Sequence, residues 1–358
     1  MSSVEDCSNA KLNCGSMRIL VDGRCFQTPH ATGVSAYASS VLHRLFAEHT
    51  EHEYVVWYNG IQTGTLPQWE YPHVSTVVTH WPNKLLHASL VVFRRPHIDR
   101  LVSRVVGGSF DRFLSLNLHA VSVSESVEHV VTIHDLSFEH LPECYTMWQQ
   151  IRHALLRPKQ QCQRAVMIQT PSAYTKDDVV ATYGIVPDKI VVVPPTVLKC
   201  VDAVLPSDMP LSYVLCIGTV EPRKNIETLI DAFVCSKIYE THHITLVVVG
   251  SEGWKSRRLR KQMEHTPGIV YRGYVSEAEK WGLYRHAKAC AYPSLYEGYG
   301  LPVAEALSVG TPVITSNRTS LLELYDPQLV TFVNPDNVAE LTAALQHAST
   351  TTREHLTV

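Results

Sequence analysis

Long apolar runs are missing from this sequence: none reaches the roughly 18 uninterrupted apolar residues of a membrane-spanning helix. Residues 1–16 are polar, carry two cysteines and have no apolar core, so they are not a secretory signal and read as a disordered tail. An excess of one sign of charge is also missing. The formal net charge of -3 gives no electrostatic footprint for nucleic acid. The nine cysteines are odd in number and form no Cys-x-x-Cys pair, which speaks against a disulfide framework and a zinc module, and the expectation is a reduced, cytoplasmic chain. Metal-ligand spacing is lacking as well: His134-Asp135 has neither an Asp-x-Asp nor a second histidine at ligand spacing beside it, so no metal is expected.

What is present is alternation. With 358 residues, 45% hydrophobic and 18% charged, the chain is long enough for two ordinary globular domains. Residues 17–22 read as a strand, followed by a loop and a helix over 34–48. Further strands are read at 53–58, 74–78, 110–114, 128–133, 165–169 and 189–193. One long helical region is expected over 145–164, and Ser172 is read as the N-cap of a helix closed by Gly184. The proline-rich residues 196–210 form an expected linker between an N-terminal domain, 17–195, and a C-terminal domain, 211–358. The second domain repeats the pattern, with strands at 213–217, 244–249 and 269–271 and helices at 225–239, 254–265 and 276–287. Strands alternating with helices imply parallel sheets covered on both faces, that is, an α/β protein of two doubly wound domains. Ligands of such sheets bind beyond the carboxyl ends of the strands.

Unusual residues collect at those ends. Glu297-Gly-Tyr-Gly300-Leu-Pro302 leads from an apolar strand, 288–292, into a helix, with Pro302 at its first position, Glu305 in its first turn and Gly310 at its stop. Two glycines at a helix entry let a ligand approach bare N–H groups, although any strand-to-helix turn can contain them. Gly218 to Asn225 places Arg223 and Lys224 ahead of an Asn N-cap. Cations fit poorly against a helix N-terminus, so a bound anion is the expected partner. Thr32-Gly33 and the loop 249–253 are further glycine turns, and His134-Asp135 is open to three readings: a metal pair, a base with its orienter, or a satisfied buried histidine.

Taken in order, these stretches resemble the retaining glycosyltransferases of family 4, in their mannosyltransferase-B-like branch. The resemblance rests on Asp22-Gly-Arg, Thr32-Gly33, Thr132-Ile-His134-Asp135-Leu136, Thr170-Pro-Ser172, Val192-Val-Pro-Pro195, Gly218 to Asn225, and the two acids Glu297 and Glu305. It implies the GT-B fold, two Rossmann-like domains facing across a cleft, and transfer of a sugar from a GDP- or UDP-sugar donor to a saccharide or lipid-linked saccharide acceptor without a divalent metal. Under it, Arg223 and Lys224 hold the donor diphosphate, and Gly33 lends backbone to the distal phosphate. Glu305 binds the ribose, while Glu297 binds the transferred sugar with help from the backbone of Gly298, Tyr299, Gly300 and Leu301. Gly218 completes the donor side, His134 contacts the sugar on the acceptor side, and Asp135 or Ser172 shapes that wall. The mechanism it implies is front-face attack by the acceptor hydroxyl, with the leaving phosphate taking the proton.

The family pattern also adds terminal helices that cross back to the first domain, and this sequence departs from it soon after a helix that starts near Asn337. Residues 86–96 place apolar side chains beside cations, which fits a core helix with a basic end or a peripheral contact with the inner face of a membrane. A nucleotide-sugar-binding protein without catalysis, or a sugar-nucleotide epimerase or hydrolase on the same fold, are the alternative readings.

Overall fold

The computed structural model describes residues 15–28, 30–60 and 66–350. The expected tail therefore lies, but for its last two residues, outside the described residues. The chain forms two compact units. One holds the described residues up to His134 together with Ile151–Thr196; the other holds Asp135–Gln150 with Val197 onward. Residues 135–150, expected in the first domain, thus belong to the second, as does most of the expected linker.

The first unit is a seven-stranded parallel sheet of β1 (Arg18–Asp22), β2 (Glu53–Asn59), β3 (Val74–Thr79), β4 (Arg112–Ser115), β5 (Glu128–Thr132), β6 (Met167–Thr170) and β7 (Ile190–Val192), in the order β3-β2-β1-β4-β5-β6-β7. The second is a six-stranded parallel sheet of β8 (Tyr213–Ile217), β9 (Thr245–Val249), β10 (Ile269–Tyr271), β11 (Ala289–Tyr292), β12 (Val313–Ser316) and β13 (Val330–Val333), in the order β10-β9-β8-β11-β12-β13. The central strands are apolar on both faces, as helices on either side demand: β8 and β9 are buried at every position. Each sheet reverses its winding once, between β1 and β4 in the first and between β8 and β11 in the second. At such a reversal the loops leave in opposite directions and open a crevice.

Local chemistry adjusts several expected elements. The region expected as one helix over 145–164 is two, Met147–Leu156 and Pro158–Arg164. Pro158 cannot continue the first helix, and Arg157 turns the chain with a left-handed φ of 50. Ser172 does cap its helix, its side chain accepting from the Thr175 N–H, and Gly184 closes it in the left-handed conformation. Glu305 lies in the second turn of the helix Leu301–Ser308 rather than the first. No helix among the described residues is long and apolar enough to cross a membrane.

Candidate active site

In the second unit, the loop after β8 and the loop after β11 leave the sheet on either side of its winding reversal, and they carry the charged residues expected from sequence. The β8 loop is seated by glycine. A Cβ on Gly250, at φ +143, would lie 1.9 Å from the Gly218 carbonyl oxygen, so only glycine lets the β9 loop pack on the β8 loop. A parallel bridge between Val220 and Glu252 continues that contact. The chain then turns through Pro222–Lys224 to Asn225, which adopts φ 56 and does not cap the following helix with its side chain. Its amide instead donates to the carbonyls of Pro293, at 3.2 Å, and Pro335, at 2.7 Å. That tie fixes the β8 turn against the exit of β11, and the Leu295 N–H donating to the Arg223 carbonyl at 2.9 Å reinforces it.

The two turns meet in a buried charge cluster. Lys224 Nζ lies 2.5 Å from Glu297 Oε1, and Arg223 lies 3.1 Å from Glu297 Oε2. Tyr292, the last residue of β11, donates its hydroxyl to Glu297 Oε1 at 2.9 Å and accepts from Lys224 Nζ, which also lies 4.7 Å from the centre of the Tyr292 ring. Arg223 pairs further with Glu221 at 2.7 Å and donates to the Tyr296 carbonyl at 2.7 Å. Burial alone would raise the Glu297 carboxyl; Lys224 and Arg223 outweigh it and hold the pKa at about 2. Burial likewise pulls the Arg223 guanidinium down, while Glu297, then Glu221 and Asp135, push it well above its ordinary value. Its buried Nε has no hydrogen-bond partner in the structure.

Because folding depresses the Glu297 pKa, its ion pairs stabilise the folded state above the unfolded value of about 4.5, and that stability is lost as pH falls through about 2. Urea unfolding of the wild type is therefore expected to lose more stability between pH 6 and pH 3 than that of Glu297→Gln, which carries no titrating group there. Equal losses in the two proteins would contradict the pairing.

Eight residues further along the chain, Glu305 is held separately. Lys280 Nζ lies 2.8 Å from its Oε1, and the Tyr284 hydroxyl donates to its Oε2 at 2.9 Å. Burial lowers the Lys280 ammonium, but Glu305 and Glu277 raise it above its usual value. The backbone between the two acids is shaped by Gly300, at φ 83, where a Cβ would meet Leu321 at 2.4 Å. Tyr325 donates its hydroxyl to the Gly300 carbonyl at 3.1 Å.

The segment 135–150 contributes to the same unit. Trp254 Nε1 donates to the Cys144 carbonyl at 2.6 Å, Tyr145 stacks on Trp254, and His140 stacks on Tyr296, the residue before Glu297. Asp135 accepts from the Ser137 N–H at 2.9 Å, and its charge adds to those of Glu297 and Glu221 in raising Arg223.

Two family models match the chain, "Glycosyltransferase Family 4" over residues 33–197 and "Glycosyl transferases group 1" over residues 202–355. The chain belongs to glycosyltransferase family 4. Among curated relatives of this family 4 protein, the O-antigen chain mannosyltransferase B of Escherichia coli is 32% identical over 231 residues, 60% of this chain and 59% of the relative. The O-antigen chain mannosyltransferase RfbU of Salmonella typhimurium is 26% identical over 219 residues, 61% and 60% of the two chains. The match thus spans about three-fifths of the length of these relatives. In fold, the chain is similar to Anabaena HepE, whose structure holds UDP and glucose, with a TM-score of 0.68 at 17% identity over 95% of this chain and 91% of the other. It is also similar to the sucrose-phosphate synthase of Thermosynechococcus elongatus, with a TM-score of 0.69 at 19% identity over 92% and 89%.

Of the residues expected from sequence, the fold brings Gly218, Arg223, Lys224, Glu297, Gly298, Tyr299, Gly300, Leu301 and Glu305 onto the two turns and the helix that follow β8 and β11. Gly33 and His134 belong to the first unit. Gly33 opens the helix Gly33–Glu48 behind a Thr32–Ser35 capping box, with nothing within 4 Å of where a Cβ would stand. His134 is a half-buried histidine: its Nε2 lies 2.8 Å from the Leu116 carbonyl oxygen, and its ring meets Tyr37 edge-on at 4.8 Å. Ser172 is buried and serves as a helix cap.

Three residues that hold buried charged groups are not legible in the sequence. Lys280 sits in an ordinary capped helix, 25 residues before the acid it holds, and no motif marks it. Tyr292 was read only as the end of an apolar strand. His119 lies at the winding reversal of the first unit, with Nδ1 3.3 Å from the buried Asp22 carboxylate, which Arg24 also clasps at 2.6 Å. In a chain of nineteen histidines, a single one following β4 carries no signal of its own. Among the described residues, His49, Glu51 and His52 form a group with ligand-like spacing on the surface turn before β2.

Proposed function

We propose that the protein is a retaining glycosyltransferase that moves a sugar, mannose, from a nucleoside-diphosphate donor, GDP-mannose, to a saccharide or lipid-linked saccharide acceptor, without a divalent metal. The observation that carries the reading is the pair Arg223 and Lys224 at the winding reversal of the second sheet, with a buried Arg223 Nε still able to donate. A leaving diphosphate gains negative charge as the glycosidic bond breaks. Fixed cations stabilise that charge without waiting for solvent to reorganise, which is the task a divalent ion would otherwise perform. The naming of the relatives as mannosyltransferases supports the choice of sugar.

Glu297 has a prior task in this site, as the counter-ion that holds both cations in place, and it reaches the hydroxyls of the transferred sugar from that position. Glu305, held by Lys280 and Tyr284, offers fixed acceptors for the ribose hydroxyls, and charged acceptors form the stronger hydrogen bonds. The acceptor hydroxyl attacks on the face the diphosphate leaves, and a phosphate oxygen takes its proton.

A thermal-shift series with GDP-, UDP- and ADP-sugars tests the donor assignment, since bound ligand raises the melting temperature by mass action. The largest shift is expected with GDP-mannose; a larger shift with a UDP- or ADP-sugar would change the donor. Donor turnover in the absence of acceptor would favour a hydrolase or epimerase instead. Replacing Lys280 with methionine frees Glu305 from its cation and is expected to raise the donor KM about tenfold, or about 1.4 kcal/mol, with little change in kcat. A fall in kcat at constant KM would show that Lys280 acts on the transition state instead.

A further inference from the structure

A cavity of about 760 Å³ opens in the first unit between the end of the helix Asn83–Val92, the loop 120–127 and the corner at Arg157. Four arginines line it, Arg94, Arg95, Arg157 and Arg164, and among the described residues none of them forms an ion pair with a carboxylate. Two acids line it as well. Glu128 is committed to Arg112 at 2.5 Å, which leaves Glu125 against four guanidinium groups. The arginines repel one another, and Arg164, then burial and Arg157, lower the pKa of Arg94.

The backbone holds this arrangement against its own preference. Arg94 and Arg157 adopt left-handed φ values of 53 and 50, where residues with a Cβ are strained. The turn is pinned: the Ser122 hydroxyl donates to the Arg94 carbonyl at 2.7 Å, the Ser89 hydroxyl to the Arg95 carbonyl at 2.6 Å, and Arg94 itself donates to Gln160 at 3.1 Å. Arg94 is half-exposed and Arg95, Arg157 and Arg164 are exposed, so water solvates the group, and a doubly charged anion among them would turn their mutual repulsion into attraction. The rim is apolar and exposed, with Phe93 at 72%, Leu155 at 47% and Val166 at 51%. The stretch 86–96 thus buries Leu86 and Leu90 in the core while turning its basic end to this cavity.

We propose that this cavity binds a phosphate or diphosphate group, with Arg94, Arg157 and Arg164 as its donors. Guanidinium forks match phosphate oxygens two at a time, and several of them suit a group carrying two or more charges. The group could be carried by a soluble compound or by a lipid whose chain meets the apolar rim; the chemistry at the arginines is the same. The site does not require that the protein transfer sugar.

Calorimetric titration of the full chain with inorganic pyrophosphate, run in protein carrying both Arg223→Gln and Lys224→Ala so that neither cation of the second unit contributes, should show saturable binding. Arg94→Gln with Arg157→Gln should weaken it at least tenfold without lowering the melting temperature. If that pair fails to fold, Arg164→Gln alone, on an exposed helix end, should weaken it severalfold. Flotation with phosphatidylglycerol vesicles, against phosphatidylcholine vesicles, separates the sources. Capture that pyrophosphate competes away marks a lipid headgroup, and pyrophosphate binding without capture marks a soluble ligand; both uphold the site. Binding of neither probe, or binding that the folded arginine variants retain in full, overturns it.

Discussion

Replacing Lys224 with alanine is expected to lower kcat about 10²–10³-fold, the loss found when one preorganised donor to a developing anion is removed. The ammonium is placed by contacts that leave it little freedom: Glu297 at 2.5 Å, the Tyr292 hydroxyl and the Tyr292 ring, with 12% of the side chain exposed. Those contacts exist before a donor arrives, so reorganisation during the reaction is small. The effect should fall on kcat because the charge Lys224 meets grows in the transition state. Arginine at this position should not restore turnover, since a planar guanidinium cannot occupy the space over the Tyr292 ring as a compact ammonium does. Steady-state kinetics on folded variants decide the matter. A higher KM with kcat unchanged would make Lys224 a plain binding residue.

The second large effect is on stability. Arg24→Ala should destabilise the first unit by about 3–5 kcal/mol, the usual cost of leaving one partner of a buried ion pair alone. Asp22 is 1% exposed at the end of β1. Arg24 clasps it with two hydrogen bonds, Nε to Oδ1 at 2.8 Å and NH2 to Oδ2 at 2.6 Å, and also donates to the Ala120 carbonyl at 3.2 Å. Burial would raise the Asp22 carboxyl, yet Arg24 and His119 hold it well below the usual range. Without the Arg24 side chain, the carboxylate keeps only His119 and the backbone N–H of residue 24, which donates to Oδ1 at 3.1 Å. The double change Arg24→Ala with Asp22→Asn should recover part of the loss, because a neutral amide replaces the stranded charge. Urea midpoints measure both; a loss below 1 kcal/mol in the single variant would contradict the clasp.

Much of this architecture is legible in the sequence because parallel strands buried on both faces are written as short apolar runs. Residues 213–217 were bounded correctly from such a run, and the motifs around Arg223, Lys224 and Glu297 fall where a strand end meets a helix. What escaped depends on partners far along the chain. Lys280 and Glu305, or Asp22 and His119, are neighbours only after the sheet order is fixed. Asn225 looked like a helix cap, but its side chain spans to Pro293 and Pro335 instead. The break at Arg157, between the helices Met147–Leu156 and Pro158–Arg164, is signalled only by Pro158, and the apolar and basic periodicity across it hides it. The placement of residues 135–150 with the second unit has no local signal, since Trp254 and Tyr296, which they pack on, come over a hundred residues later.

The central claim is retaining transfer from a nucleotide sugar, and the anomeric configuration of the first product tests it most directly. With an α-linked donor such as GDP-α-mannose and a saccharide acceptor, proton NMR of the product should show an α-linked sugar, formed in the presence of EDTA and about 10²–10³-fold more slowly in Lys224→Ala. A β-linked product would contradict front-face attack and with it the mechanism proposed here.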